Sequence, residues 1–598
     1  MSSSVELTKA LVDVAIGRKH ADLVIRHGTW VCVQSGEFVP DTDVAIKNGH
    51  VAYVGPDASH TITKDTVVLD AENKYLVPGL LDGHMHVESG MLTVTEFVRA
   101  VLPHGTTGMF ADPHEIANVF GLKGVKLMAD EAVNQPIHVW MQVPSCVPST
   151  PGLETSGGEI TAKDAEQALA WDGIIGLGEV MNYAGVAAAD PKMMEEMDAA
   201  RQAGKIIGGH YASPDLGPAF HAYAAGGPED DHEGTRLDDA IARVRQGMKA
   251  MIRYSSAWQD VAAQAPAITK LGLDSRHFIL CSDDCQAETL VDEGHMDRVV
   301  RHAIAQGIPP MAAIQMATLN TAEHFGLGRE IGQIAPGRWA DILLVDDLKD
   351  FHAELVIARG QVTAENEALV IDLPKIEYPT WAMNSVHLKR ALTADDFRLR
   401  ANGQSPTVKA NVIGVVENQA PTHALTFEFQ PEDGEVKADM KRDLAKLAVV
   451  ERHRGTGGVQ VGLVNGFGLS ECCAIASTVA HDCHQMIVVG TDEGDMALAA
   501  NKLAETGGGQ VVVRKGKIIG LIELPLAGLM STERADRVVK KANTILDGFQ
   551  ACGCKINNPN MTLSLLALTV IPELRLSDKG LVDVTRFTFI PVLETPRE

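Results

Sequence analysis

The chain has 598 residues, of which 45% are hydrophobic and 22% are charged, a composition typical of folded globular proteins. This length exceeds what a single hydrophobic core supports, so we expect two or three domains. The chain carries 52 basic and 78 acidic residues, a formal net charge of -26 at pH 7. Such an acidic balance argues against nucleic acid and anionic membranes as partners.

The amino-terminal segment MSSSVELTKALVDVAIGRKHADL has acidic residues where a secretory signal needs an uninterrupted apolar stretch. No later run reaches membrane-spanning length. The nine cysteines are scattered and lack the Cys-x-x-Cys pairs of a structural zinc site, which indicates neither a disulfide scaffold nor a zinc ribbon. We therefore predict a cytoplasmic protein with reduced cysteines.

Two separate segments have the pattern of β-structure. Residues 22–70 alternate apolar and polar side chains in short bursts such as LVIRHGTWVCV and DVAIKNGHVAYVG, broken by Gly and Asp. This period of two predicts antiparallel strands. The same pattern returns over residues 332–361, in GQIAPGRWADILLVDD and ELVIARGQ. The two segments flank a region of different character.

Between them, eight short apolar runs alternate with helical patterns such as DDAIARVRQGMKA, which predicts a parallel sheet covered by helices. The runs are YLVPGLLDGHMH, GTTGMFADPHE, IHVWMQVPS, GIIGLGEVMN, KIIGGHYAS, AYAAGGPEDDHE, KAMIRYSS and HFILCSDD. Eight β/α units of this length predict an α/β fold with a (β/α)8 TIM-like barrel over residues 76–331.

The last third of the chain differs again. Residues 378–598 contain strand patterns (HALTFEF, QVGLVNG, MIVVG) and helical patterns (DMALAANKLAET, ERADRVVKKANTILDGF). This region is long enough for a core of its own. We predict an additional C-terminal α+β domain here.

Nearly every apolar run of the predicted barrel ends in His, Asp or Glu, and catalytic side chains project from the carboxyl ends of barrel strands. His84 and His86 stand two apart, so they point to one face and can hold one ion. The predicted ligand set is His84, His86, Glu179, His210, His232 and Asp283. Each residue alone is more often a polar loop residue, but together they predict a metal site.

Six ligands exceed the needs of one catalytic ion, so we predict a binuclear site of two divalent ions bridged by Glu179. Imidazole and carboxylate suit manganese, iron(II) and zinc; manganese or iron(II) is the first expectation, and zinc stays open. Water activated by such ions becomes a nucleophile near neutral pH, which predicts a hydrolase.

The order of these ligands, with PGLLDGHMH before the barrel and GQIAPGRWADILLVD after it, resembles the amidohydrolase superfamily. Within it, HGTTGMFADPHEIANVFG, DHEG, LCSDD, HDCHQMIVVG, LPLAGLMS and MTLSLLALTVIPELRLSDKGLVDV are similar to the bacterial adenine deaminase family, and these motifs span most of the chain. The resemblance implies a composite β-sandwich domain, split by the barrel into residues 1–75 and 332–377. It also implies that residues 378–598 form an adenine-deaminase-type domain.

The same resemblance implies a small-molecule purine substrate, with hydrolytic deamination of adenine to hypoxanthine and ammonia. We expect Asp283 to accept a proton from the attacking water and to pass it to the leaving amine, while Glu233 donates to a ring nitrogen. The expected substrate-binding residues are Asp112, His114, Arg253, His481 and His484, and support of the metal ligands is the alternative role for Asp112 and His114. His481 and His484 are also candidates for a further metal site. Because amidohydrolases often assemble, we expect a homo-oligomer, with a dimer as the expected state.

The sequence departs from the family pattern in two places. Arg253-Tyr254-Ser255-Ser256 stands where Arg-Glu-Gly-Ser is expected, and Cys483 and Gln485 replace Ser and Asn. These changes spare every predicted ligand but bear on the substrate. A cyclic amide hydrolase of the hydantoinase or dihydroorotase type stays open, although the fourth run has no lysine to bridge two ions after carboxylation. Guanine deamination and a non-catalytic barrel relative that serves in assembly are further alternatives.

Overall fold

The computed structural model describes residues 4–401, 406–417 and 419–594. The first helix, α1 (Ser4–Ala15), packs against the edge of the first β-sheet. No helix within the described ranges combines the length and the apolar character needed to cross a bilayer.

The first sheet begins with five strands from the amino-terminal part of the chain. They are β1 (Leu23–Cys32), β2 (Glu37–Lys47), β3 (His50–Gly55), β4 (Val67–Asp70) and β5 (Tyr75–Pro78). Leu23 and Ile25 of β1 enter one hydrophobic cluster, whereas Val24 between them enters another on the opposite face. This alternation is the period of two that predicted β-structure.

Eight parallel strands follow. They are β6 (Leu80–Met85), β7 (Thr106–Ala111), β8 (His138–Val143), β9 (Ile174–Val180), β10 (Ile206–Gly209), β11 (Asp230–Asp231), β12 (Lys249–Arg253) and β13 (Phe278–Cys281). One sheet has the order β10-β9-β8-β7-β6, and a second has the order β11-β12-β13. A parallel bridge between Met85 and Asp283 joins β6 to the end of β13. Beside β10 and β11, the Glu229 N–H donates to the Ile207 carbonyl oxygen at 2.9 Å.

These strands follow the predicted runs, with two differences. The first predicted run divides at Gly79, because Tyr75–Pro78 belongs to the first sheet and the parallel strand begins at Leu80. The sixth predicted run is wrong over most of its length, because AYAAG lies in the helix Pro218–Gly226. Pro218 in the first helical turn and the alanines that follow favour a helix. An apolar run alone does not distinguish a buried strand from a buried helix.

Helices connect and cover the parallel strands. They are α2 (Val94–Val101), α3 (His114–Phe120), α4 (Leu122–Ala132), α5 (Ala162–Leu169), α6 (Tyr183–Ala187), α7 (Pro191–Gln202), α8 (Pro218–Gly226), α9 (Leu237–Arg245), α10 (Val261–Gln264), α11 (Pro266–Thr269), α12 (Ala287–Asp292), α13 (Met296–Ala305), α14 (Pro310–Met316) and α15 (Leu319–His324). Local sequence sets their ends. Asp190 caps α7 by accepting the Lys192 N–H at 3.0 Å, and Pro191 occupies the first turn.

The chain then returns to the first sheet. The returning strands are β14 (Ile342–Val345), β15 (Ala353–Ala358), β16 (Gln361–Glu365) and β17 (Ala368–Leu369). β14 pairs antiparallel with β5, so segments from both sides of the parallel strands build one sheet. Its order is β17-β16-β15-β14-β5-β1-β2-β3, with β4 paired to β1. The mixed α/β content predicted from the sequence is confirmed.

The C-terminal region contains many short strands and three helices in its described part. The strands are β18 (Leu399–Arg400), β19 (Val408–Gly414), β20 (His423–Phe429), β21 (Glu435–Val436), β22 (Leu444–Val450), β23 (Val459–Asn465), β24 (Cys473–Ser477), β25 (Met486–Gly490), β26 (Gly509–Arg514), β27 (Lys517–Glu523), β28 (Leu574–Ser577), β29 (Gly580–Asp583), β30 (Thr588–Ile590) and β31 (Leu593–Glu594). The helices are α16 (Glu493–Thr506), α17 (Ala535–Ala551) and α18 (Pro559–Leu565). The main sheet has the order β20-β19-β23-β22-β25-β24-β26-β27, with β31 paired to β19.

The C-terminal region packs directly on the parallel strands. One hydrophobic cluster contains Phe97 and Met109 from the parallel-strand region together with Ile487 and Phe549 from the C-terminal region. The Ser531 N–H also donates to the Met91 carbonyl oxygen at 2.8 Å. This packing brings residues 478–485, which connect β24 and β25, to the carboxyl ends of the parallel strands.

Candidate metal centre

The six predicted ligands converge at the carboxyl ends of the parallel strands. His84 and His86 lie two residues apart at the end of β6, and their Nε2 atoms are 3.2 Å apart. Glu179 lies near the end of β9, and His210, His232 and Asp283 follow directly or closely after β10, β11 and β13. Except for the half-buried His210, all of these residues are buried.

The two carboxylate oxygens of Glu179 face different histidines. Oε1 lies 3.8 Å from His86 Nε2, whereas Oε2 lies 3.2 Å from His232 Nε2 and 4.0 Å from His84 Nε2. His210 Nδ1 also contacts Oε2 closely. A carboxylate with histidines around both oxygens has the geometry needed to bridge two ions.

The donor atoms form compact groups that fit a divalent transition-metal ion. The groups are His84, His86 and Glu179; His84, His232 and Asp283; and Glu179, His210 and His232, each with donor atoms within 4.8 Å of one another. Imidazole nitrogen and carboxylate oxygen are the ligands that zinc, iron and manganese use in proteins. The donor set therefore fits the metal chemistry predicted from the sequence.

Asp283 presents its two oxygens to different partners. Its backbone is left-handed, with φ 56°, and its N–H donates to the His84 carbonyl oxygen at 3.0 Å. Oδ1 lies 3.4 Å from His86 Nε2, while Oδ2 accepts a hydrogen bond of 2.9 Å from Arg253 Nη1. One oxygen thus faces the histidines predicted to bind metal, and the other is held by a guanidinium group.

Arg253 connects three carboxylates and is itself buried. Besides Asp283, its Nη1 contacts Glu233, and its Nε donates to Asp260 Oδ2 at 2.6 Å. Although burial of Glu233 opposes the shift, the positive Arg253 beside it holds the pKa of the Glu233 carboxyl group below its ordinary value. Arg253 is not among the residues that line the cavity described below. Its side-chain hydrogen bonds within the site are made to these three acidic residues.

Asp112 supports two ligands from behind. Its Oδ2 accepts the Glu179 N–H at 2.8 Å, and its backbone carbonyl oxygen lies 2.8 Å from His86 Nδ1. This contact fixes the His86 ring so that Nε2 points to the site. Gly178 precedes Glu179, and a Cβ atom there would collide with the Asp112 carboxylate. Asp112 is fully buried and contacts two predicted ligands, which corresponds to the supporting role and not to the substrate-binding role that the sequence also suggested.

His114 and Glu115, at the start of α3, lie beside the ligands. His114 Nδ1 is 3.2 Å from Glu179 Oε1, and Glu115 Oε2 is 3.8 Å from His86 Nδ1. The sequence analysis selected His114 but not Glu115, although both stand in the motif ADPHE. Glu115 directly follows His114 in that motif, and this adjacency is the signal in the sequence that could have identified Glu115.

His481 and His484 reach this site from the C-terminal region. His481 Nδ1 lies 3.9 Å from Glu115 Oε1, and His484 is fully buried behind it. The buried Arg452 holds their loop by donating from Nε to the His484 carbonyl oxygen at 2.5 Å. The structure thus brings His481 to the start of α3, next to Glu115.

A cavity of about 320 Å³ lies between the parallel-strand region and the C-terminal region, and its lining includes none of the six predicted ligands. Its wall nearest the ligands contains Glu88, Ser89, Glu115, Asp284, His481 and His484. The opposite wall comes from α17, α18 and the residues between them. Glu88 and Asp284 were not selected from the sequence, although they follow His86 and Asp283 closely in HVESG and CSDD.

The chain is similar in sequence to known proteins over nearly its whole length. Residues 75–370 match the Amidohydrolase family, and residues 419–588 match the Adenine deaminase C-terminal domain. "Adenine deaminase 3" of Rhizobium meliloti is 60% identical over 588 residues, which cover 98% of this chain and 99% of that protein. The chain belongs to the adenine deaminase family. This membership confirms the resemblance inferred from the motifs.

A second member of the adenine deaminase family, from Mesorhizobium japonicum, is 60% identical over 97% of this chain and 96% of its own length. Among solved structures, a β-aspartyl dipeptidase from Fervidobacterium islandicum matches with a TM-score of 0.46 and 14% identity. That match covers 60% of this chain and 98% of the dipeptidase.

The two departures from the expected family pattern have structural partners. Tyr254 stacks on His302 with ring centroids 3.9 Å apart, and the Ser256 hydroxyl lies 2.7 Å from that of Thr289. Of these, only Ser256 lines the cavity. Gln485 donates from Nε2 to the Thr155 carbonyl oxygen at 2.8 Å, so it joins the C-terminal loop to the parallel-strand region.

Proposed function

We propose that this chain catalyses the hydrolytic deamination of adenine to hypoxanthine and ammonia. The observation that carries this proposal is the convergence of five histidine and aspartate side chains around Glu179, in a chain that aligns over nearly its whole length with adenine deaminases. The reaction adds one water molecule to adenine, breaks the bond between the ring carbon and the amino nitrogen, and releases ammonia.

Two divalent ions are proposed to be held by His84, His86, Glu179, His210, His232 and Asp283, with Glu179 between them. When bound, such ions acidify water and polarise the group under attack. Manganese or iron(II) is the proposed metal, and zinc also suits these ligands. The two oxygens of Glu179, each facing its own histidines, support the bridging role.

Asp283 and Glu233 are proposed to move the protons. Asp283 accepts a proton from the attacking water and delivers it to the leaving amino group, while Glu233 donates a proton to a ring nitrogen. Arg253 holds Asp283 Oδ2 at 2.9 Å and contacts Glu233, so it orients both acids toward one side of the site. The hydrogen bond from Arg253 leaves Asp283 Oδ1 facing the histidines.

The purine is proposed to bind in the cavity beside the ligands. His481 and His484 line its wall, and flat imidazole rings suit an aromatic heterocycle. Asp112, His114 and Arg253 act one step further away, because they contact ligands and acids instead of the cavity wall. Under this proposal, the C-terminal region forms part of the substrate site.

The proposed architecture behind this site is a closed (β/α)8 barrel over residues 76–331. The bridge between Met85 and Asp283 and the hydrogen bond between Glu229 and Ile207 support closure of the two parallel sheets into one ring. A composite β-sandwich domain of residues 1–75 and 332–377 and a C-terminal domain of residues 378–598 complete the proposal. We also propose a cytoplasmic homodimer.

Ammonia release from adenine tests the function. The purified chain is stripped of metal, reloaded with manganese or iron(II), and compared with Glu179→Gln and with Glu166→Gln, a matched change at an exposed position. We expect rapid release by the parent and by Glu166→Gln, and loss in Glu179→Gln. A metal-replete parent that releases no ammonia from adenine would overturn the proposal and direct the search to cyclic amides and guanine.

A further inference from the structure

Four polar side chains form a second cluster where the parallel strands meet the C-terminal region. His114 and Glu115 come from the start of α3, and His481 and Asp482 come from the loop between β24 and β25. All four residues are buried, with exposed fractions of 6%, 2%, 9% and 3% in that order. Each pair of neighbours in the sequence thus supplies one imidazole and one carboxylate.

The carboxylates of this cluster lack ordinary partners. Among the described residues, neither oxygen of Glu115 has a hydrogen-bond partner, and Asp482 Oδ2 has none either. The ion pairs of Glu115 and Asp482 within the described ranges involve only histidines, with no lysine or arginine. A charged carboxylate buried in this way is strongly destabilising unless a cation or a metal ion pairs with it or the group takes up a proton.

The spacing of the donor atoms fits one ion. His114 Nε2 lies 3.6 Å from Glu115 Oε1, which lies 3.9 Å from His481 Nδ1, which lies 3.7 Å from Asp482 Oδ1. Donor atoms of His114, His481 and Asp482 all fall within 4.8 Å of one another. Ligands about 2.1 Å from a tetrahedral ion are about 3.4 Å apart, close to these distances.

We propose that His114, Glu115, His481 and Asp482 bind an additional divalent transition-metal ion, separate from the ions held around Glu179. Two imidazoles and two carboxylates suit zinc, manganese or iron(II). His114 connects the two sites, because its Nδ1 is 3.2 Å from Glu179 Oε1 while its Nε2 faces Glu115. The additional ion fastens the C-terminal loop to the start of α3.

Metal counting tests this inference without any measurement of turnover. Apo-protein is reloaded with zinc, passed through a desalting column, and analysed by mass spectrometry for ions per folded chain. We expect Asp482→Asn and His481→Asn to bind one ion fewer per chain than the parent. The matched exposed changes Asp292→Asn and His277→Asn should retain the parental count. An unchanged count in both loop variants would overturn the site.

A crystal of the zinc-loaded parent provides a test that does not depend on the folding of a variant. Anomalous scattering at the zinc edge should give a peak between the four side chains, in addition to peaks beside Glu179. Absence of that peak would overturn the inference. The result is independent of the proposed reaction, because an additional ion in a chain that does not release ammonia from adenine would retain this site and reject only the deaminase function.

Discussion

The backbone N–H of Glu179 donates a hydrogen bond of 2.8 Å to the carboxylate of Asp112. These residues stand at the ends of β9 and β7, which are separated in the sheet by β8. The backbone carbonyl oxygen of Asp112 also lies 2.8 Å from His86 Nδ1. A single residue outside the cavity wall therefore fixes the positions of two proposed ligands.

Replacement of Asp112 by alanine should weaken metal binding. The Glu179 N–H would lose its acceptor in a buried position, and loss of such supporting contacts costs about 10- to 100-fold in metal affinity. Competition with a chelator measures the affinity. Asp112→Asn keeps an amide oxygen as acceptor and should lose less metal affinity than Asp112→Ala. Equal losses of affinity in both variants would contradict a role through this hydrogen bond.

Arg253→Met should reduce both stability and turnover. The change removes the guanidinium group that the carboxylates of Glu233, Asp260 and Asp283 share. Removing one partner from a buried ion pair costs about 3–5 kcal/mol. Denaturant unfolding and ammonia release measure the two effects. Arg253→Lys retains charge but cannot reach all three carboxylates, so an unimpaired lysine variant would argue against the geometric role.

Arg452→Met should destabilise the fold and the cavity wall. Arg452 is fully buried, and its guanidinium donates to the carbonyl oxygens of His484, Ser385 and Ala527. Burial lowers the pKa of Arg452 to about 9. Leaving these acceptors without donors costs about 1–3 kcal/mol for each unsatisfied group. We expect a lower free energy of unfolding and a higher KM for adenine. A KM equal to that of the parent would show that the loop held by Arg452 does not contribute to substrate binding.

Glu196→Gln should change how stability depends on pH. Burial raises the pKa of Glu196 from 4.5 to about 8, although Lys192 opposes the shift. The folded protein therefore holds a proton that the unfolded chain releases, so this contribution to stability is full below pH 4.5 and is lost as the pH rises toward 8. Glu196→Gln lacks this loss. Relative to the parent, its free energy of unfolding should therefore rise by a few kcal/mol as the pH approaches 8.

Unfolding free energies of the parent and of Glu196→Gln, measured from pH 5 to pH 9, check this prediction. The exposed neighbour Glu195 provides a matched change, and Glu195→Gln should follow the parental curve. A constant difference between parent and Glu196→Gln across this range would show that the side chain does not change its protonation state there.

The structure brings together all six residues that the sequence predicted as ligands, whereas several of their neighbours were not predicted. His84, His86, Glu179 and Asp283 end strong apolar runs, and the geometry of parallel strands brings such ends together whatever the loops do. The sixth run failed because its apolar residues fit a helix as well as a strand, yet His232 after it still reaches the site.

Residues beyond the ligands depend on contacts between distant parts of the chain. Glu115 and His481 approach to 3.9 Å only because the C-terminal region packs on the parallel strands. No local period or spacing encodes that packing. Arg253 was predicted to contact substrate, but its three carboxylate partners become visible only when the ends of β11, β12 and β13 are seen together.

The loop that carries His481 also bears on the order in which the site is completed during synthesis. The last proposed ligand around Glu179 is Asp283, whereas the cavity wall needs residues made about 200 positions later. Until those residues emerge from the ribosome and pack, this wall of the cavity is missing. The cavity wall beside the proposed ligands is therefore the last part of the site to be completed.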